Sequence, residues 1–529
     1  MTNRHTRLDR RTVVLGALAG TTVAACGPAA GGANGQTGQT GGTLAAALGS
    51  EPSTLDPQVT SDAALAQTAP FLFDTLLYRE LDGTYTGHLA EKWETSPDGR
   101  TITFTLRPGL RFHDETALDG AAVVKSFERL LRVGGRSPII GDVRRASAIE
   151  AVGERGVRFT LGESSATLLN ALSQPYAGIV SPTGAERLGE GLGRAPVGSG
   201  PFVFKGWQSA AEIQLGRNAG YAWGPSAAKN RKAPYLDGVR LRILPDASTQ
   251  VAALLAGELD AAYVADGAAV KQLRSDGRVS LTSSNIQGLL YLGFNMRRAP
   301  VDQLALRQAI AHAIDKKAIA DVALDGMAQP VAAPLPPSIF GARPEVDRLE
   351  RKHDPQQARA LLATLATPGR PLQPLTLLTT TSAANGAIAT LIQAQLKAVG
   401  VELKIQQLDT AAVTAATPRG EFDLLLWRYD WKDPDALSLF LMSDKIGGGN
   451  RVFYSNPKVD ALLARGQIEM EQEKRARLYV EAQQLILQDL PWHPLVTPVG
   501  VAALRKDRVR DVRIELQGKL LVNDARVLR

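Results

Sequence analysis

The densest group of chemistry-bearing side chains in this 529-residue chain is Arg428, Tyr429, Asp430, Trp431 and Lys432: two cations, two aromatics and an acid in consecutive positions. Residues of these types make ligand contacts when they occupy the loop after a strand, where open α/β sheets bind their ligands. Asp423 to Trp427, just before them, is almost wholly apolar, as expected of a strand buried on both faces of a mostly parallel sheet. Asp433-Pro434, just after them, has the form of an N-cap followed by proline at the first helical position, which gives Asp433 a structural role. Asp430 has no such role. Two readings of it stay open at this level, a ligand contact and a solvated acid in a turn.

Bond-breaking chemistry finds less support. The six histidines, at positions 5, 88, 113, 312, 353 and 493, have no spacing that would share a metal on one helix or hairpin. His312 falls on a helix, His113 in a turn, and His493, between Trp492 and Pro494, is the one kept open as a ligand contact. There is no nucleophile elbow, no zincin motif and no phosphate-binding Gly-Lys-Ser/Thr loop. The glycines of LGEGLGRAPVGSGPF do not fit the dinucleotide fingerprint. Neither a metal nor a cofactor is expected, although a catalytic set can still be assembled in space without a linear motif.

A chain of this length exceeds one core, and two or three domains are expected. Hydrophobic content of 44% and charged content of 21% describe an ordinary globular protein. Of the net charge of +7, Arg4, Arg7, Arg10 and Arg11 against Asp9 supply +3 before residue 26. The rest is too dilute for nucleic-acid binding. Arg10-Arg11 precedes an apolar run, Val13 to Ala25, that is too short to span a bilayer and right for an export signal. It ends at Val23-Ala24-Ala25-Cys26, which resembles the bacterial lipobox, and the paired arginines resemble a twin-arginine signal. The other reading is an N-terminal membrane anchor with an incidental cysteine. Cys26 is the only cysteine, so no intrachain disulfide can form. Gly27 to Gly42 has no charge and no bulky apolar residue, the composition of a flexible tether.

Local patterns then place the elements that would position Asp430. A strand is expected at Thr43 to Leu48, and a helix from Gln67 to Tyr78 with Phe71, Leu72, Thr75 and Leu76 on one face. A hairpin turns at Ser96-Pro97-Asp98-Gly99, with Ile102, Phe104 and Leu106 alternating beyond it, and Val157, Phe159 and Leu161 alternate in the same way. Asp302 is expected to cap a helix carrying Leu306, Ile310 and Ile314, with Gly326 past its end. Asp354-Pro355 and Asn456-Pro457 open two more. Ile388, Leu391, Ile392 and Leu396 form a further helical face, Gly400 stops it, and Val401, Leu403 and Ile405 follow as a strand.

In order along the chain, GGTL, EPSTLDP, LAEKWETSPDGRTITFTLRPGLRFHDET, APVGSGPFVFKGW and PYLDGVRLRILPDASTQVAALLAGELDAAY carry a resemblance. With YLGFNMRRAPVDQLALRQAIAHAIDKKAIADVALDGMAQP and DPQQARALLA, the chain from about Gly41 to its end resembles family 5 of the bacterial extracellular solute-binding proteins. This family serves peptide, dipeptide and nickel ABC importers. Glu115 departs from it, standing where glycine is usual in the FHDGT turn, and Ala122 replaces a common acid.

The resemblance implies an α/β, two-lobed periplasmic-binding-protein-like fold with an inserted subdomain and a hinge between lobes. Lobe I would comprise 43–57, 175–290 and 497–529, the insertion 58–174, and lobe II 291–496, with hinge crossings near Gly293 and Leu495. It also implies that Asp430 pairs with a peptide's free amine, that Leu426 and Arg428 offer backbone contacts, and that Trp427 and Trp431 flank the site. Arg428 and Lys432 leave anionic or zwitterionic ligands open. The expected protein is a monomeric, non-enzymatic receptor, exported and lipid-anchored through Cys26 at the outer face of the cytoplasmic membrane or in the periplasm. It would hand a small solute to a membrane permease. The alternative is an exported hydrolase acting on similar substrates.

Overall fold

The computed structural model describes residues 41–528 except 287, 366–371, 432 and 516–517. The signal segment, Cys26 and tether residues 27–40 lie outside the described residues, as does Lys432.

Twelve described strands share one large mixed sheet. From one edge the order is Leu403–Leu408, Leu375–Thr380, Leu424–Tyr429, Leu289–Phe294, Trp492–Arg505, Ala261–Val264, Thr43–Leu48, Gly238–Ile243, Glu212–Arg217 and Phe202–Gln208. The long strand Trp492–Arg505 holds the two halves together. Its first residues pair with Leu289–Phe294 and Ala328–Pro330, and its later ones with Val279–Asn285 and Ala261–Val264. The chain therefore changes partners at two adjacent places, after Asn285 and before Leu289, and at residues 497–499 of the long strand. Gly293 lies inside a ladder, opposite Leu425 and Trp492.

The strand at the candidate site differs from the mostly parallel setting expected of it. Leu424–Tyr429 runs parallel to Leu375–Thr380 on one side and antiparallel to Leu289–Phe294 on the other. An apolar run reports burial on both faces but not the direction of its neighbours.

A separate antiparallel sheet, Ala90–Thr95, Thr101–Leu106, Gly156–Leu161 and Ala146–Val152, includes the hairpin at Ser96–Gly99. Its inward Ile102, Phe104, Leu106, Val157, Phe159 and Leu161 join the same core as Leu44, Ala46 and Leu48. Glu115 adopts φ 63° in the following turn, the left-handed backbone in which glycine avoids a Cβ penalty.

Two helix starts follow their local signals. Asp354 Oδ1 accepts from Gln356 and Gln357 N–H before Pro355–Leu365, and Asn456 Oδ1 accepts from Lys458 and Val459 N–H before Pro457–Ile468. Three other expectations need correction. The first helix is Ala63–Leu72, capped by Asp62, and the chain is extended at Phe73 because Asp74 takes its hydrogen bonds elsewhere in the fold. The helix Leu304–Ala313 begins after Gln303 without a side-chain cap, and the Asp302 carbonyl accepts from Arg307. Asp433 does not cap a helix: Ala436–Leu441 starts after Asp435, and Asp433 instead forms a buried ion pair with Arg475. Among the described residues no helix is long and apolar enough to cross a membrane.

Candidate functional site

The strand Leu424–Tyr429 delivers the candidate residues to one end of the sheet. Its parallel pairing stops at Leu378 opposite Leu425, whereas its antiparallel pairing continues to Leu289 opposite Tyr429. Beyond Leu425 one edge has no strand partner among the described residues, and Thr379 Oγ1 donates to Leu426 O at 3.1 Å. Side-chain alternation sends Leu424 and Leu426 into the core with Leu292 and Leu377, and Tyr429 to the other face with Tyr291 and Trp492.

Tyr429 fixes the end of the strand. Its ring stacks on Phe440 with centroids 5.5 Å apart and lies 6.0 Å from Trp492, and its hydroxyl donates to Pro334 O at 2.6 Å. The next residue, Asp430, emerges with its side chain 56% exposed. Arg428 Nε donates to Asp430 Oδ1 at 2.7 Å, while Oδ2 has no hydrogen bond among the described residues. This side chain crosses the backbone at Gly288, where a Cβ would stand 2.4 Å from Oδ1. The absence of a side chain at 288 is what makes room for the carboxylate.

Asp430 lines a cavity of about 600 Å³ whose other described walls come from residues 61–286 and 515–523. Between Ile286 and Glu515 it is the one described lining residue. Phe71, Phe73, Pro175, Tyr176 and Pro201 make much of the wall apolar. The volume lies within the roughly 300–1,000 Å³ usual for small-molecule sites, which combine apolar walls with a few placed polar groups.

The polar wall is built from the far side. Asp74, 1% exposed, accepts from Ser199 Oγ at 2.9 Å, Tyr221 OH at 3.0 Å and Trp223 Nε1 at 2.8 Å. Burial pushes its carboxyl up, but His88 Nε2 at 3.2 Å and these donors outweigh burial and hold it below the usual carboxylate range. Glu515 pairs with Lys519 at 3.0 Å and accepts from Tyr78 OH. Lys519 Nζ also lies 4.7 Å from the Tyr78 ring centroid, a cation–π distance.

The other candidates surround Asp430 without lining the cavity. Leu426 is fully buried, so only its backbone can take part. Arg428 is engaged with Asp430. Trp427 lies beneath the Arg451 guanidinium at 4.9 Å, and Trp431, 40% exposed, meets Phe440 edge-on at 6.4 Å. His493 is not a cavity contact. It is buried in the long strand, where burial pushes its pKa well below the usual histidine value. Among the described residues no group of three or more His, Cys, Asp or Glu could hold a metal. Glu80, His88, Glu515 and Lys519 were not singled out as ligand contacts by the sequence, because the cavity gathers them from segments hundreds of residues apart.

A model of the middle part of the bacterial extracellular solute-binding proteins, family 5, matches residues 84–450. Heme-binding protein A of Haemophilus influenzae is 31% identical over 444 residues, covering 79% of each chain. The glutathione-binding protein GsiB of Pectobacterium atrosepticum is 30% identical over 471 residues, 87% of this chain and 89% of that one. The periplasmic binding protein DppA of Helicobacter pylori, solved in complex with the peptide STSA, is 28% identical and superposes with a TM-score of 0.66. That match covers 93% of this chain and 99% of the other. The fold is thus the two-lobed α/β fold of periplasmic binding proteins. The chain belongs to family 5 of the bacterial extracellular solute-binding proteins, the binding components of ABC importers.

Proposed function

We propose that this protein captures a short peptide in the Asp430 cavity and releases it to an ABC permease. The observation that carries the reading is that Asp430 is the one described lining residue between Ile286 and Glu515, with one carboxylate oxygen fixed by Arg428 and the other without a hydrogen bond among the described residues. A peptide ammonium would bind Oδ2. The strand edge at Leu426 and Arg428, beside the cavity and without a strand partner among the described residues, would take the peptide backbone by strand addition, with the Leu426 carbonyl exchanging its bond from Thr379 Oγ1. The glutathione-binding and peptide-bound relatives support this class of ligand; the heme-binding relative shows that the family's ligands extend beyond it.

In this reading the lobes follow the ranges 43–57, 175–290 and 497–529 against 291–496, with 58–174 inserted, and close about the paired crossings. The protein acts as a monomer and as a receptor rather than a hydrolase. Asp430→Asn is expected to weaken binding of a free-amine peptide roughly ten- to a hundredfold, the effect of a charge-assisted hydrogen bond of about 1.5–3 kcal/mol. N-acetylation of the peptide should weaken binding to the parent strongly and to the variant little, because both changes remove one interaction. Calorimetric titration checks this, and equal binding of free and acetylated peptides by the parent would exclude Asp430 as an amine anchor. Scattering on the same samples should show a smaller radius of gyration with peptide.

Export ends, in this proposal, with lipidation of Cys26. Cys26→Ala should move the protein from the membrane fraction to the soluble one. Retention of the processed variant in membranes would refute the lipid anchor. More than one acyl chain is needed for firm attachment.

A further inference from the structure

Glu80 shares the cavity with Asp430 and is oriented without being neutralised. It follows the short strand Leu77–Arg79, whose hairpin partner is Tyr85–Gly87. The Glu80 N–H donates to Thr84 O at 2.9 Å, and the Glu80 carbonyl accepts from Gly83 N–H at 3.0 Å, so the backbone is fixed by the turn. Its Oε1 accepts from Thr86 Oγ1 at 2.8 Å and from the Ser226 hydroxyl. Thr86 belongs to the same hairpin, whereas Ser226 arrives from a distant segment beside the lining residue Pro225. Oε2 carries no hydrogen bond among the described residues.

Two of the other acids of the cavity have a basic partner within it: Asp74 faces His88 and three donors, and Glu515 faces Lys519. Asp430 is engaged by Arg428 through Oδ1 and keeps Oδ2 for the ammonium. Arg79 also lines the cavity, and the carboxylates that act on it are Asp433 and Asp82; among the described residues no Lys, Arg or His forms an ion pair with Glu80. Hydroxyl donors aim a carboxylate without supplying a counter-charge, and a carboxylate held in this way on a cavity wall favours a cation.

The geometry points to Glu80 as a second cation-binding residue of this cavity, so that the solute taken carries two positive groups. For a peptide these are the terminal ammonium, at Asp430, and a lysine or arginine side chain, at Glu80. This assignment rests on the reading of the cavity as a peptide site.

The test titrates Ala-Lys and Ala-norleucine, which differ chiefly in the side-chain charge, into the parent chain, Glu80→Gln and Asp430→Asn. The parent is expected to bind Ala-Lys about tenfold more tightly. Glu80→Gln should erase that preference while binding Ala-norleucine within about twofold of the parent, which also reports an intact fold. Asp430→Asn should weaken both peptides and keep the preference. Equal binding of the two peptides by the parent, or a preference that survives Glu80→Gln, overturns the assignment while leaving peptide capture in place. Binding of neither peptide by the parent overturns both.

Discussion

Replacing Arg475 with methionine is expected to destabilise the fold by about 3–5 kcal/mol, the cost of leaving one member of a buried ion pair behind. Arg475 and Asp433 have side chains only 3% and 2% exposed. The guanidinium meets the carboxylate in a two-pronged pair, at 2.9 Å to Oδ2 and 2.6 Å to Oδ1, and Nε donates to Gly466 O at 2.9 Å. Oδ1 also accepts from Asp435 N–H at 3.0 Å, which shapes the turn after Trp431. Tyr85 OH stands 3.5 Å from Oδ2, so the pair also touches the hairpin that carries Glu80. Loss of Arg475 should therefore loosen both acid-bearing segments and weaken solute binding as well as stability. Urea unfolding followed by circular dichroism measures the first effect. The double variant Asp433→Leu/Arg475→Met should recover much of the loss, since apolar replacement of a whole buried pair is often neutral. A single-variant loss below about 1 kcal/mol would show that the pair is not closed off from water in solution.

Asp74→Ala is expected to cost on the order of 4 kcal/mol, because the donors of Ser199, Tyr221 and Trp223 would lose their acceptor at about 1–3 kcal/mol each before relaxation. The isosteric Asp74→Asn separates charge from shape. The native carboxyl lies below its unfolded value of about 3.9. Its stabilisation is therefore fully present above that pH and is lost as pH falls through the lower native value. As pH falls below about 4 the parent should lose stability more steeply than Asp74→Asn, as read from thermal midpoints across the acid range. Parallel curves would mean that Asp74 does not ionise differently in the folded and unfolded chains. Because Asp74 braces the wall opposite Asp430, the alanine variant should also bind solute poorly.

Much of the fold near the site was legible because its signals are local. A short apolar run located Thr43–Leu48, and period-two alternation located the hairpin strands around Phe104 and Phe159, since a half-buried strand imposes that period on its own residues. Asp354-Pro355 and Asn456-Pro457 announced helices because a cap bonds N–H groups two or three residues away. The same local reasoning failed at Asp433, whose sequence context is that of a cap but whose partner, Arg475, lies 42 residues away. It failed after Leu72 as well, where the demand of Asp74 for distant donors draws the chain out of a helical pattern.

The sequence alone determined that Asp430 follows a buried strand and has no local structural role, and it carried the family in the order of its blocks. Only the tertiary structure decided that Asp430 reaches a cavity, that Arg428 occupies one of its oxygens, and that Glu80 faces the same space with no ion-pair partner among the described residues. The physical reason is one of range. Backbone periodicity and capping act within a few residues, whereas a cavity is bounded by side chains whose proximity is set by sheet order and by the two crossings beside Ile286 and Thr497.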